Sequence, residues 1–127
     1  MREITSHKVN GLNDSISIKV LDEPGQGGAN HVYELSLTHG GNGEQPAPGP
    51  VLMIKFQNGP IKEAGYNGFS GEALLAVVED RLKSFQEGPY KCRENACALT
   101  HLQEAMMWLH RRTHERMQRG VEGTHKV

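Results

Sequence analysis

Two different periods of apolar residues divide the chain. In "SISIKVLDE", residues 15–23, Ile16, Ile18 and Val20 alternate with polar partners, the period of a half-buried strand. "HVYELSL" repeats the alternation through Tyr33, Leu35 and Leu37, and "VLMIKF" is a continuous apolar run of strand length. "QNGP" follows, and because both Asn58 and Gly59 tolerate positive φ, it predicts a tight hairpin with "IKEAGY" as the return strand. Four short strands separated by turn-formers such as "EPGQGGAN" predict a small antiparallel sheet. "HGGNGEQPAPGP", residues 39–50, has nothing to bury and is expected to be a mobile loop.

Past residue 66 the period becomes helical. Ser70 is placed to cap "GEALLAVVEDRLKSFQ", with Glu72 in the first turn, where the helix dipole favours negative charge. Leu74, Leu75, Val78, Leu82 and Phe85 form one apolar stripe, and Gly88 and Pro89 end the helix. A longer helix is predicted over residues 91–119, stopped by Gly120, and the short connection makes the two an antiparallel hairpin. The expected fold is therefore α+β and a single domain over residues 1–127. Residues 1–66 form a β-rich lobe, and residues 67–127 form the helical hairpin with a C-terminal tail. That tail, "VEGTHKV", is expected either to add an edge strand or to fray.

The long helix carries a regular seam. Cys92, Asn95, Leu99, Leu102, Met106, Leu109, Thr113 and Arg116 are spaced 3, 4, 3, 4, 3, 4, 3, a heptad a/d pattern whose middle is apolar and whose ends are polar. A second face carries Ala98, His101, Ala105 and Trp108. Pattern alone leaves two uses for the seam: packing on the first helix, or pairing with a second copy about a twofold axis. In the second case the long helix mediates homodimerisation. With the axis between Ala105 and Met106, Asn95 of one copy falls opposite Arg116 of the other, with Arg112 one turn away and Phe85 near the Asn95 end. A single straight helix cannot do this, since the 21 residues from Asn95 to Arg116 span about 31 Å. An aromatic ring, an amide and two guanidiniums are the groups a nucleotide needs: stacking for the base, an edge for base or ribose, and planar donors for a pyrophosphate.

Composition narrows the partners. Fourteen basic and 15 acidic residues give a net charge of −1, so nothing draws the chain globally to nucleic acid or an anionic membrane, and any polyanion binding must be local. The local concentration is "HRRTHERMQR", with four arginines in ten residues. No apolar run approaches the roughly 18 to 20 residues of a membrane span, and the N-terminal segment lacks a signal peptide's apolar stretch. Cys92 and Cys97 point in well-separated directions on a helix and read as reduced thiols in a cytoplasm.

The stretches "FQNGPIKE", "DRLKSFQ", "CRENA", "ALT", "LQEA", "WLHRRT" and "RGVEGTH" occur in order from residue 53 onward. Together they resemble the phage Thoeris anti-defence proteins of the first type, strongly over the last 75 residues or so. "HKVNGLND" and "DEPGQGGANHVYEL" resemble the family's N-terminal half more loosely, and residues 39–50 have no counterpart. The resemblance implies a sponge acting in the cytoplasm of an infected bacterium. It would bind cyclic ADP-ribose isomers made by TIR-domain enzymes and hold them uncleaved, with no cofactor. It implies a homo-oligomer, dimers that assemble further into a hexamer, with a separate site for cyclic di- or trinucleotides. Carried over by motif, the ligand-contacting positions are Phe85 for base stacking, Asn95 for hydrogen bonding, and Arg112 and Arg116 for phosphates and stacking.

Plainer readings stand beside these. By pattern alone Phe85 is a core residue, Asn95 a surface or register-setting residue, and the arginines a solvated face on which Glu115 pairs with a neighbour. Trp108 reads as packing. Zinc is excluded within one chain, because the pairs Cys97/His101 and His110/His114 lie about 20 Å apart along the helix. For an enzyme the sequence offers no phosphate-cradling glycine loop, no nucleophile with a positioned base and no clustered carboxylates. Hydrolysis of the signal and binding of RNA or DNA are the rival functions.

Overall fold

The computed structural model describes residues 1–127, which fold as two compact units, Met1–Asn58 and Gly59–Val127. The fold is α+β, with the sheet in the first unit and the long helices in the second.

In the first unit, where the one-turn helix α1 (Gly11–Asp14) follows the first strand, β1 (Arg2–Ile4), β2 (Ile16–Val20), β3 (Val32–Leu37) and β6 (Val51–Lys55) form an antiparallel sheet in the order β1-β2-β3-β6. Register follows the alternation. Ile4, Ile18, Leu35 and Leu52 align across all four strands on one face, while Glu3, Lys19, Glu34 and Met53 align on the other. Val20, 1% exposed, is the most buried side chain of the sheet, and Tyr33 meets Phe56 edge to face at 5.6 Å. Asp22 staples the β2–β3 connection by accepting from the backbone amides of His31 and Val32. Burial works against its charged form, but these amides outweigh it and hold the carboxyl below its ordinary 3.8. A depressed carboxylate contributes stability that is present above its unfolded value and lost as pH falls through the folded one. Acid unfolding should therefore steepen below pH 3.8, and Asp22→Asn should flatten that limb; a pH series of denaturant melts checks it.

The fourth strand is not the one expected. "IKEAGY" does not return along "VLMIKF"; Ile61–Ala64 is the short helix α2, and the N-terminal residues Arg2–Ile4 supply the extra strand. Pro60 explains the difference: it lacks an amide to give to a ladder, and its φ of −65° starts a helical turn. Residues 39–50 are also more ordered in conformation than a plain loop. They fold back as a small hairpin, β4 (Gly40–Gly41) on β5 (Pro46–Ala47), closed by Asn42 Oδ1 accepting from Glu44 and Gln45 amides. Gly49 is required where this hairpin returns, since a Cβ there would lie 2.5 Å from the Leu37 Cβ.

In the second unit α3 (Gly71–Glu87) and α4 (Arg93–Gln118) form the expected hairpin. Ser70 Oγ accepts from the Ala73 amide and caps α3, and Cys92 Sγ does the same for α4 through the Asn95 amide. The seam of α4 is its shielded side: Asn95, Leu99, Leu102, Met106, Leu109 and Thr113 are half-buried and Arg116 is buried, while their neighbours are exposed. Packing within the hairpin therefore takes the surface that the sequence left available for a second copy. On α3 the shielded positions include Leu74, Leu75, Leu82 and Phe85, but Val78 is 49% exposed and Glu79 takes the inner place. Glu79 is bonded to Lys83, 2.9 Å away, and to Gln103 of α4; the lysine bond leads in holding its carboxyl below the ordinary range.

The chain keeps a large surface. It exposes 9432 Å², whereas two separate compact units of half its mass would expose roughly 8,000 Å². Besides Val20, the only buried apolar side chain is Val121.

Candidate ligand-binding site

The four residues singled out in the sequence fall into two pairs. Phe85 closes the last turn of α3 and Asn95 opens the first turn of α4, tied together across the short connection by Gln86, which bonds both the Cys92 amide and its carbonyl at 3.1 Å. Phe85 is half-buried, and the Arg81 guanidinium stands over its ring at 4.9 Å. A groove of about 530 Å³ lined by Val77, Asp80, Arg81, Ser84 and Phe85 opens beside it. Arg112 and Arg116 lie one turn apart at the other end of α4. Along the helix the pairs stay about 25 Å or more apart, so one chain does not assemble them.

The two arginines differ sharply. Arg112 is exposed and has no ion pair, because the nearby Glu115 pairs with Arg119 at 2.8 Å. Arg116 is only 9% exposed. Its Nη1 donates to the Lys126 carbonyl at 2.8 Å, its Nη2 to the carbonyls of Val121 at 3.1 Å and Thr124 at 3.0 Å, and its Nε faces Glu122 at 3.4 Å.

The C-terminal tail neither pairs as a strand nor frays; it folds around this guanidinium. The Val121 amide donates back to the Arg116 carbonyl, Lys62 donates its amide to the Gly123 carbonyl at 2.9 Å, and His125 meets Glu63 at 3.0 Å. Gly120 turns the chain with φ of 73° where α4 ends. Gly123, at φ 81°, packs so closely that a Cβ would lie 2.7 Å from Ile61. Gly123→Ala should thus cost about 1–3 kcal/mol, read as a lowered melting temperature and lost amide protection in the tail.

Sequence reasoning missed three features of this unit. The tail's role depends on carbonyls that only meet Arg116 after the chain turns, although two glycines in "RGVEGTH" were a signal of a tight fold. Arg81 covering Phe85 was legible only as an i,i+4 spacing. Trp108, read as packing, is 59% exposed, with Arg111 5.5 Å from its ring centre. A further groove of about 620 Å³, lined by Glu79, Gln103, Met106, Met107, His110, Arg111 and His114, runs beside the hairpin. The cysteines and histidines of α4 do not gather into a group that could hold a metal ion, and no helix is long and apolar enough to cross a membrane.

A helical hairpin with cationic and aromatic ends, attached to a small sheet, defines the class as a hairpin-domain protein. The family model described as Acb2/Tad1, hairpin domain, matches residues 49–114, which span the end of the first unit and most of the hairpin. The protein "Thoeris anti-defense 1" of Bacillus phage SBSphiJ7 is 50% identical over 97 residues, covering 73% of this chain and 68% of that protein. The chain belongs to the Acb2/Tad1 hairpin-domain family.

Proposed function

We propose that the protein is an anti-Thoeris sponge. It binds a cyclic ADP-ribose-type signal inside the infected bacterium, holds it uncleaved, and so keeps the downstream effector idle. The relative's name supports the target pathway. The observation that carries the binding mode is the division of complementary chemistry along the hairpin: the Phe85 ring at the end of α3 beside the Asn95 amide at the start of α4, and guanidiniums at the far end of α4. An antiparallel second copy would bring the ring-and-amide end of each chain to the guanidinium end of its twin, giving two equivalent sites from Phe85, Asn95, Arg112 and Arg116.

Because α3 takes the seam, the second copy docks on the neighbouring face of α4, about 90–100° round the helix. Ala98, His101, Ala105 and Trp108 lie there exposed, and Arg112 continues the same row one turn beyond Trp108. The small Ala98 and Ala105 allow close approach, and Trp108 supplies the apolar area an interface needs. The large exposed surface supports such an association.

The test is release by heat. Protein is incubated with the TIR-enzyme product, freed of unbound ligand and denatured, and the supernatant is given to the effector enzyme. Intact signal on release is expected; a degraded product would make the protein a hydrolase instead. Binding should also fall only shallowly with salt, because few phosphates are engaged, while a steep dependence would indicate long nucleic acid.

A further inference from the structure

We infer that β6 is a docking edge for a second copy of this chain, whose own β6 adds to it antiparallel and joins two four-stranded sheets into one of eight strands. None of its residues belongs to the proposed ligand site, and the pairing depends on the α4 association above only to gather the chains.

The backbone of β6 alternates in direction. The Phe56 amide donates to the His31 carbonyl at 2.8 Å and the Leu37 amide to the Pro50 carbonyl at 3.0 Å. Bonded and non-bonded pairs alternate along an antiparallel ladder. Pro50, Leu52, Ile54 and Phe56 therefore turn their backbone groups toward β3. Val51, Met53 and Lys55 turn theirs outward, where no further strand lies. From Val51 to Ile54 this edge carries no charge and no proline, and Val51, Leu52 and Met53 are all exposed. The opposite edge differs. There β1 is only three residues long and includes the charged Arg2 and Glu3, the usual means by which a sheet edge is kept from pairing. An apolar strand with outward amides and carbonyls is instead a template for another strand.

The edge is complementary to itself. A twofold axis at Met53 sets Met53 against the partner's Met53 and Val51 against the partner's Lys55. Every outward residue then meets an outward residue, and the three pairs exchange six backbone hydrogen bonds. A slip of one residue would set outward groups against inward ones, and a slip of two would leave Val51 or Lys55 without a mate. The centred register also keeps the two Lys55 ammoniums about 13 Å apart along the strands. It puts Leu52 beside the partner's Ile54, on the face that already holds Ile18 and Leu35, so the apolar side runs on across the seam. Five residues make a small contact, below the roughly 1,200 Å² of a standard interface. The pairing therefore holds between chains that another contact has gathered, where the effective concentration is high.

Hydrogen exchange reads this amide by amide. In the assembled native protein the amides of Val51, Met53 and Lys55 are expected to exchange at least about tenfold more slowly than those positions do in Met53→Lys, which sets like charges face to face at the axis. The amides of Leu52, Ile54 and Phe56, bonded to β3, should stay protected in both and report an intact sheet. Sedimentation should give a larger particle for the native chain than for the variant. Should the substitution open the sheet, dilution of the native chain takes its place: outward protection must then fall with concentration while inward protection does not. Outward amides that exchange equally fast in both, in a native protein that sediments as a dimer or larger, overturn the edge pairing and leave the α4 association standing; the edge would then await an extended segment of another protein. A native protein that sediments as a monomer sinks both.

Discussion

Replacing Arg112 with alanine is expected to weaken binding of the nucleotide signal by about 10- to 100-fold, the worth of one charge-assisted contact to a phosphate. The melting temperature should stay where it is. Arg112 is exposed and holds no partner, so its loss leaves no buried group unsatisfied and no cavity. Arg112→Lys should recover part of the affinity, because the charge returns without the planar pair of donors. Calorimetric titration measures the first effect and a thermal melt the second. Unchanged affinity with an unchanged fold would remove the cationic half of the site.

The second large effect is expected at Trp108. Trp108→Glu should leave the helical hairpin folded, since the indole is mostly exposed in the single chain. Association should nevertheless collapse. Buried tryptophans at interfaces are typically worth 2 kcal/mol or more, about thirtyfold or greater in association, and two carboxylates brought together near a twofold axis add repulsion. Light scattering or sedimentation should show the native protein as a dimer or larger and the variant as a monomer, with ligand binding lost in parallel. A variant that remains dimeric and still binds would place the partner on some other surface. A monomeric variant that binds normally would mean that one chain suffices.

These two substitutions act on neighbouring positions of one helix row, yet one should change binding without assembly and the other both together. That contrast is what a shared site requires. A site built within one chain would make Trp108 irrelevant, and a purely structural Trp108 would lower stability before it lowered affinity.

Much of the fold was legible because its signals are local. Alternation in "SISIKV" and "HVYELSL" set which side chains share a face, and the pairing Ile18 with Leu35 follows from burying one face of each strand. Ser70 and the Gly88-Pro89 pair marked the limits of α3, and Gly120 marked the end of α4, since caps and breakers act within a turn or two of where they sit. The three-residue strand Arg2–Ile4 was not legible: it is too short to show a period and exists only because β2 offers it an edge. "IKEAGY" misleads because Asn58-Gly59 is a hairpin-turn signal, while Pro60 directly after it has no amide to give to a return ladder.

Of the candidate site, the sequence by itself determined the residue types and their spacing: a ring and an amide at the turn of the hairpin, guanidiniums at the far end of its long helix, and a heptad seam between. The tertiary structure alone decided which way that seam faces and what Arg116 holds. A row of half-buried positions looks the same whether α3 or a second copy covers it, because hydrophobic burial is non-directional and takes whichever apolar surface is present. Likewise an arginine's charge is written in the sequence, but its donors are committed only when the chain beyond Gly120 turns back and brings three carbonyls within reach.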